Sequence, residues 1–104
     1  EVKSVSLSRK KHHAEFPDAI TERGKKHLEN LVLANRQGYE SYLIFLVQIE
    51  NCKTFSIASD IDPVYFKVFK QAQKKNVKIL CYDCKFSNKG LKINKKINII
   101  LNDR

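Results

Sequence analysis

"ESYLIFLVQIE", residues 40–50, decides the fold. From Tyr42 to Val47 every residue is apolar and nothing alternates, the pattern of a strand covered on both faces in a parallel or mixed sheet. A strand with one wet face would carry a polar residue at every second position. Gln48 ends the run as its first polar intrusion. The run is far shorter than the ~20 residues a membrane-spanning helix needs, so no membrane partner is expected.

Helical signals flank this strand. Upstream, Thr21 is suited to cap a helix reaching about Arg36, because its hydroxyl can accept from first-turn amides, and Gly38 supplies a left-handed exit. Leu28, Leu31, Val32 and Asn35 form one stripe, with Ile20 and Gly24 leading into it. Gly24 in the first turn is costly for a helix. A close approach by another backbone or a ligand would account for it, and so would fraying. Downstream, "DIDPVYFKVFKQAQKKN" at 60–76 offers Asp62 as N-cap and Pro63 at the first helical position. Phe66, Phe69 and Ala72 then point inward, and Lys67, Lys70, Lys74 and Lys75 outward.

Further strands follow from "VKILCYDC" at 77–84 and, after the turn "SNKG" at 87–90, from "LKINKKINIIL" at 91–101. At the other end "EVKSVSLS", residues 1–8, alternates like one strand. "SRKKHHAEFPD" at 8–18 reads as an exposed basic loop. The order strand, helix, strand, helix, strand predicts α/β architecture: a mixed β-sheet flanked by helices, in a single domain over 1–104. No repeats or linkers interrupt it.

Twenty Lys and Arg against eleven Asp and Glu give a net charge of +9 and a pI of about 9.6, which favours a polyanion such as nucleic acid. From Lys85 to Arg104 Asp103 is the sole acid among six bases. Three cysteines, an odd number without a dense framework, predict reduced thiols and a cytoplasmic setting. No signal-like segment opens the chain. The start at Glu1 and the absence of Met predict a fragment or processed piece.

Glu1 and Lys3 lie two apart on a strand and therefore share a face. A glutamate can hold a divalent cation, and a lysine beside it can orient or deprotonate a water that attacks a phosphodiester. The same spacing also arises as a plain surface charge pair. Cys81 and Cys84 have C-x-x-C spacing, but an odd offset on a strand sends their thiols to opposite faces. His12 and His13 read as added positive potential near phosphate rather than a metal tract. Asp60 and Asp62 read as capping residues before a metal pair.

"EVKSVSL" at 1–7, "FPDAITERGKKHLENL" at 16–31, "FLVQ" at 45–48 and "IDPVYF" at 61–66 together resemble the sugar fermentation stimulation protein family, SfsA. The resemblance covers nearly the whole chain. It implies a PD-(D/E)XK nuclease-like fold preceded, in the family, by an OB-like domain, and a protein that binds DNA and is proposed to cut it, or RNA. Glu1 and Lys3 match the family's E-x-K, which implies that Glu1 ligates Mg²⁺ or Mn²⁺ and Lys3 positions the water. The family's other metal-binding Asp and its OB-like domain fall before the first residue given, so this stretch alone is expected to be inactive.

Thr21, Arg23, Gly24 and His27 match the family's T-x-R-G-x-x-H, and helical spacing puts Arg23 and His27 on one face. Arg23 suits phosphate, and His27 can donate to a leaving oxygen or a backbone phosphate. Without the resemblance, Arg23 pairing with Glu22 or Asp18 and His27 rimming the core is the simpler reading. Arg9, Lys10 and Lys11, with Arg23, Lys25, Lys26 and the late lysines, are the candidates for holding a nucleic-acid backbone. Asp18 and Gln48 are supporting candidates, each with a structural alternative as loop end and strand end. A non-catalytic DNA-binding regulator tied to sugar metabolism of the maltose type is the alternative function. The sequence assigns no oligomeric state.

Overall fold

The first ten residues build two strands, where alternation predicts one. In the computed structural model, which describes residues 1–101, β1 (Val2–Val5) and β2 (Leu7–Lys10) are separated by Ser6 alone and join different sheets. The segment expected to be an exposed loop continues into β3 (His13–Phe16), antiparallel to β2. The tight turn is made at His12, with φ of +62°, a left-handed conformation that His tolerates better than branched residues. His12 Nδ1 donates to the Asn51 carbonyl oxygen at 2.8 Å, and the His12 carbonyl accepts from Lys53 N at 2.8 Å, so the turn is held from outside.

The chain then runs through α1 (Glu22–Arg36), β4 (Tyr42–Val47), β5 (Thr54–Ile57), α2 (Pro63–Lys74), β6 (Lys78–Ser87), β7 (Gly90–Lys96) and β8 (Asn98–Ile99). The α/β class expected from the sequence holds, and the strands divide into two mixed four-stranded sheets, ordered β1-β4-β6-β7 and β2-β3-β5-β8. β4, the apolar run, lies inside the first, parallel to β1 and to β6. Leu43, Phe45 and Val47 are wholly buried, and Ile44 and Leu46 on the other face are half-buried. The final basic segment divides into β7, exposed throughout, and the short β8, parallel to β5. Residues 102–104, which carry Asp103 and Arg104 of the basic tail, lie outside the described residues.

An aromatic cluster ties the sheets to the helices. The Phe45 ring lies 5.3 Å from Phe16, 4.6 Å from Phe55 and 6.2 Å from Phe69, and Phe16 meets Tyr65 edge-on at 5.5 Å. Offset and tilted pairs of this kind add to the value of buried area. In α2, Phe66, Phe69 and Ala72 are buried as expected, and Tyr65 joins them. Cys81 and Cys84 both lie in β6 as buried free thiols, and burial first of all pushes the Cys81 thiol up to about 12.

Both helices are capped as the sequence indicates, and the caps are joined. Thr21 Oγ1 accepts from Gly24 N at 2.9 Å. A Cβ at Gly24 would sit 2.9 Å from the Thr21 side chain. The close approach that Gly24 permits is therefore the helix's own cap. Asp62 Oδ1 accepts from Tyr65 N at 3.0 Å, capping α2, while Oδ2 accepts from Thr21 N at 2.9 Å. One buried carboxylate thus brings the N-termini of α1 and α2 to the same place. No helix among the described residues is long and apolar enough to cross a membrane.

Candidate active site

Glu1, just before β1, and Lys3 within it lie beside α1. The Glu1 backbone is pinned to β4, its nitrogen donating to the Tyr42 carbonyl at 3.0 Å and its carbonyl accepting from Ile44 N at 2.9 Å. Lys3 Nζ lies 3.3 Å from Glu1 Oε2 and 2.6 Å from His27 Nδ1. An ammonium has only hydrogens to offer, so Nδ1 accepts and the ring proton sits on Nε2. Lys3 therefore bridges two acceptors, the carboxylate and the imidazole, which themselves stand 3.3 Å apart. Its side chain is 14% exposed against 32% for Glu1, so the ammonium is sheltered and the carboxylate faces outward.

Partial burial would raise the Glu1 pKa, but the hydrogen bond and charge of Lys3 outweigh it and lower the value. Glu1 is thus an ionised carboxylate at neutral pH, with Oε1 free of any partner among the described residues. Magnesium-type cations take one or two carboxylates, with substrate oxygens and waters completing the shell. Glu1 fits as one such ligand. Among the described residues no three His, Cys, Asp or Glu side chains stand together as a metal-holding group.

The remaining candidates separate. Arg23, one turn before His27 on the same face of α1, is exposed and makes no ion pair with any described residue; the expected pairing with Glu22 or Asp18 does not form. Lys25 is half-buried, and Lys10, Lys11 and Lys26 are exposed. Asp18 is exposed and unbonded among the described residues. Gln48 Nε2 donates to Ser4 Oγ at 3.1 Å, on the opposite face of β1 from Lys3, so it clamps the strand rather than facing the cluster.

Arg9 is engaged elsewhere. Its Nε and Nη2 donate to the two oxygens of Glu15 at 2.9 and 2.7 Å, and Nη1 and Nη2 donate to Asp60 at 2.7 and 2.8 Å. Arg9 sits on β2, Glu15 on β3 and Asp60 in the turn before α2, and beside them His13 contacts Thr54 Oγ1 and Ser56 Oγ at 2.7 and 2.8 Å. The hydrogen bond from Arg9 is the main force lowering the Glu15 and Asp60 pKa values, the latter from 3.8 to about 2. Asp60, assigned a capping role by the sequence, is thus an ion-pair partner. The 51-residue separation from Arg9 left no local signal to find it. Tyr65 also escaped the sequence reading, although its position three residues after the Asp62 cap marks it as a first-turn residue.

The chain is a mixed α/β domain in which the start of β1 and the first half of α1 bring a carboxylate, a lysine and an imidazole together. The family description "Sugar fermentation stimulation protein RE domain" matches residues 1–90, and the chain belongs to the SfsA family. The sugar fermentation stimulation protein homolog of Pelagibacter ubique is 53% identical over 100 residues, which cover 96% of this chain and 43% of the relative. That of Roseobacter denitrificans is 41% identical over 93 residues, covering 89% and 40%. The solved structure of Pyrococcus furiosus SfsA in complex with Ca²⁺ superimposes with a TM-score of 0.87 at 24% identity, over 97% of this chain and 44% of that one, a likeness of fold. The chain spans less than half the length of these proteins.

Proposed function

We propose that this chain is the catalytic portion of a metal-dependent nuclease that hydrolyses phosphodiester bonds in DNA or RNA. The observation that carries the reading is the bridge of Lys3 between Glu1 and His27, with one Glu1 oxygen left open. Glu1 would hold Mg²⁺ or Mn²⁺ together with a ligand beyond the described residues, and the Ca²⁺ of the Pyrococcus furiosus protein is a hard, oxygen-seeking cation of the same kind. Such a cation would supply charge stabilisation at the phosphoryl oxygens. Lys3, oriented from both sides, holds the attacking water in line. The Nε2 proton of His27 is free to reach a phosphate oxygen, and Arg23 offers its fork to the backbone one turn away.

In the whole protein, Lys3→Ala is expected to reduce divalent-dependent cleavage of labelled DNA and RNA by orders of magnitude without lowering the melting temperature. A wild-type protein that cuts neither nucleic acid in Mg²⁺ or Mn²⁺ sinks this proposal. The net charge of +9 favours a second reading, a non-catalytic nucleic-acid-binding regulator. Binding in EDTA that survives Glu1→Ala would select it.

A further inference from the structure

The helices and the second sheet all pack on one side of the first sheet. That side is marked by Phe45 and its register partners Lys3 and Cys81. The Phe45 ring meets Phe69 of α2 and Phe55 of β5, and Lys3 meets His27 of α1. The topology gives the reason. The crossovers from β1 to β4 and from β4 to β6 step the same way along the sheet, and right-handed connections that step one way put their helices on one side.

The other side is apolar and open. Val2, Ile44 and Leu80 form one row across β1, β4 and β6, and alternation carries the same side along β6 to the hairpin pair Phe86 and Leu91. Val2 is 55% exposed and Leu91 45%. Ile44, Leu46, Leu80 and Tyr82 are half-buried, yet none of them packs against the buried core. Parallel strands are covered on both faces in folded proteins, and a broad apolar surface on a soluble domain marks a contact. The unbroken apolar run from Tyr42 to Val47 suits a strand with two covered sides, of which the described residues supply one.

We propose that this side of the sheet seats a segment of the same protein lying outside residues 1–104: an amphipathic helix with its apolar stripe on Ile44 and Leu46 and acidic residues at its margin. The matched residues make up 43% and 40% of the Pelagibacter ubique and Roseobacter denitrificans relatives, which therefore carry more polypeptide outside this stretch than within it. A helix is the element that usually covers a parallel sheet. The rim sets the charge of its margin. Lys78 already faces Glu40, whereas Lys96, the register partner of Tyr82, has no ion pair with any described residue. A second copy is the poorer occupant, because two chains of net charge +9 repel. Val2 stands between Glu1 and Lys3, so the same docking holds down the strand beside the candidate site. The inference does not depend on the chemistry of that site.

Hydroxyl-radical footprinting of the wild-type whole protein, read by peptide mass spectrometry, tests this with matched side chains. Among the described residues Val2 and Val64 are 55% and 52% exposed, and Leu91 and Leu33 are 45% and 52% exposed. Val2 and Leu91 lie on the open side of the sheet, and Val64 and Leu33 lie on α2 and α1. With each rate taken relative to the urea-unfolded protein, Val2 and Leu91 should be oxidised about ten-fold more slowly than their counterparts. Leu46→Asp, which puts a charge at the centre of the contact, should bring their rates up to the counterparts' values. Equal rates within each pair in wild type overturn the proposal, and so does protection that Leu46→Asp leaves intact. Protection that fades on dilution, as sedimentation shows a dimer parting, assigns the contact to a second copy and overturns it as well.

Discussion

Two charged clusters sit on the two sheets and are built on opposite plans. On the second sheet, Arg9 directs paired hydrogen bonds of 2.7–2.9 Å at Glu15 and Asp60, and four of the five guanidinium N–H groups are taken. On the first, Lys3 bridges Glu1 and His27 with one contact each, and a carboxylate oxygen and an imidazole Nε2 stay open. A network whose cation is committed to two carboxylates has little left for a ligand and serves to hold strands together. An unsaturated one keeps donor and acceptor capacity, which a binding or catalytic site requires. Charge density alone would have ranked the basic stretch around Arg9 first.

The contrast can be broken most directly at its two cations. Lys3→Ala in the whole protein should reduce divalent-dependent cleavage by about 10²–10⁴-fold, the range for losing a positioned proton-handling group, with no change in melting temperature. Arg9→Ala should do the reverse, lowering the melting temperature and leaving cleavage intact. Loss of cleavage in Arg9→Ala with an unaltered melt would erase the distinction.

The next effect concerns the link between the helix starts. Asp62→Ala removes the cap of α2 and the bond to Thr21 N, and should cost about 1–2 kcal/mol in urea unfolding. Cleavage should fall as well, because α1 carries His27 and Arg23.

Acid sharpens the comparison further. Asp60 has its pKa depressed from 3.8 to about 2, chiefly by Arg9, so its contribution is complete above 3.8 and is lost as pH falls toward about 2. Urea midpoints measured down this range should fall less steeply for Asp60→Asn than for wild type. Equal slopes would mean that the ion pair does not contribute in solution.

Salt dependence gives the smallest effect. If nucleic acid binds, Arg23→Ala should reduce the slope of log affinity against log salt by ~1, and Arg9→Ala should leave it unchanged. A lower slope for Arg9→Ala would show that the guanidinium leaves its carboxylates for phosphate.

The elements legible in the sequence were those whose signals are local. Thr21 and Asp62 announce their helices within one turn, and the run from Tyr42 to Val47 declares an inner strand, buried on one face at Leu43, Phe45 and Val47 and half-buried on the other at Ile44 and Leu46. The pair Glu1 and Lys3 and its neighbour His27 came through spacing and family resemblance, and the structure brings all three together. What stayed hidden depended on distant partners. β2 and β3 look like a loop because Arg9, Lys10, His13 and Glu15 are polar, and they become strands only when β5 and the carboxylates of Glu15 and Asp60 are brought alongside. The division into two sheets turns on Ser6, which has no compositional mark.

That single residue between β1 and β2 constrains how the family can vary. β1 ends at Val5 in one sheet, and β2 begins at Leu7 in the other. Adding or removing one residue there would rotate a whole strand's side chains to the wrong face. It would either turn Glu1 and Lys3 away from His27 or turn Arg9 away from Glu15. Insertions that surface loops accept freely are therefore barred from this stretch, and in any lineage that keeps the site the distance from Lys3 to Arg9 should be invariant in length even where its residues change.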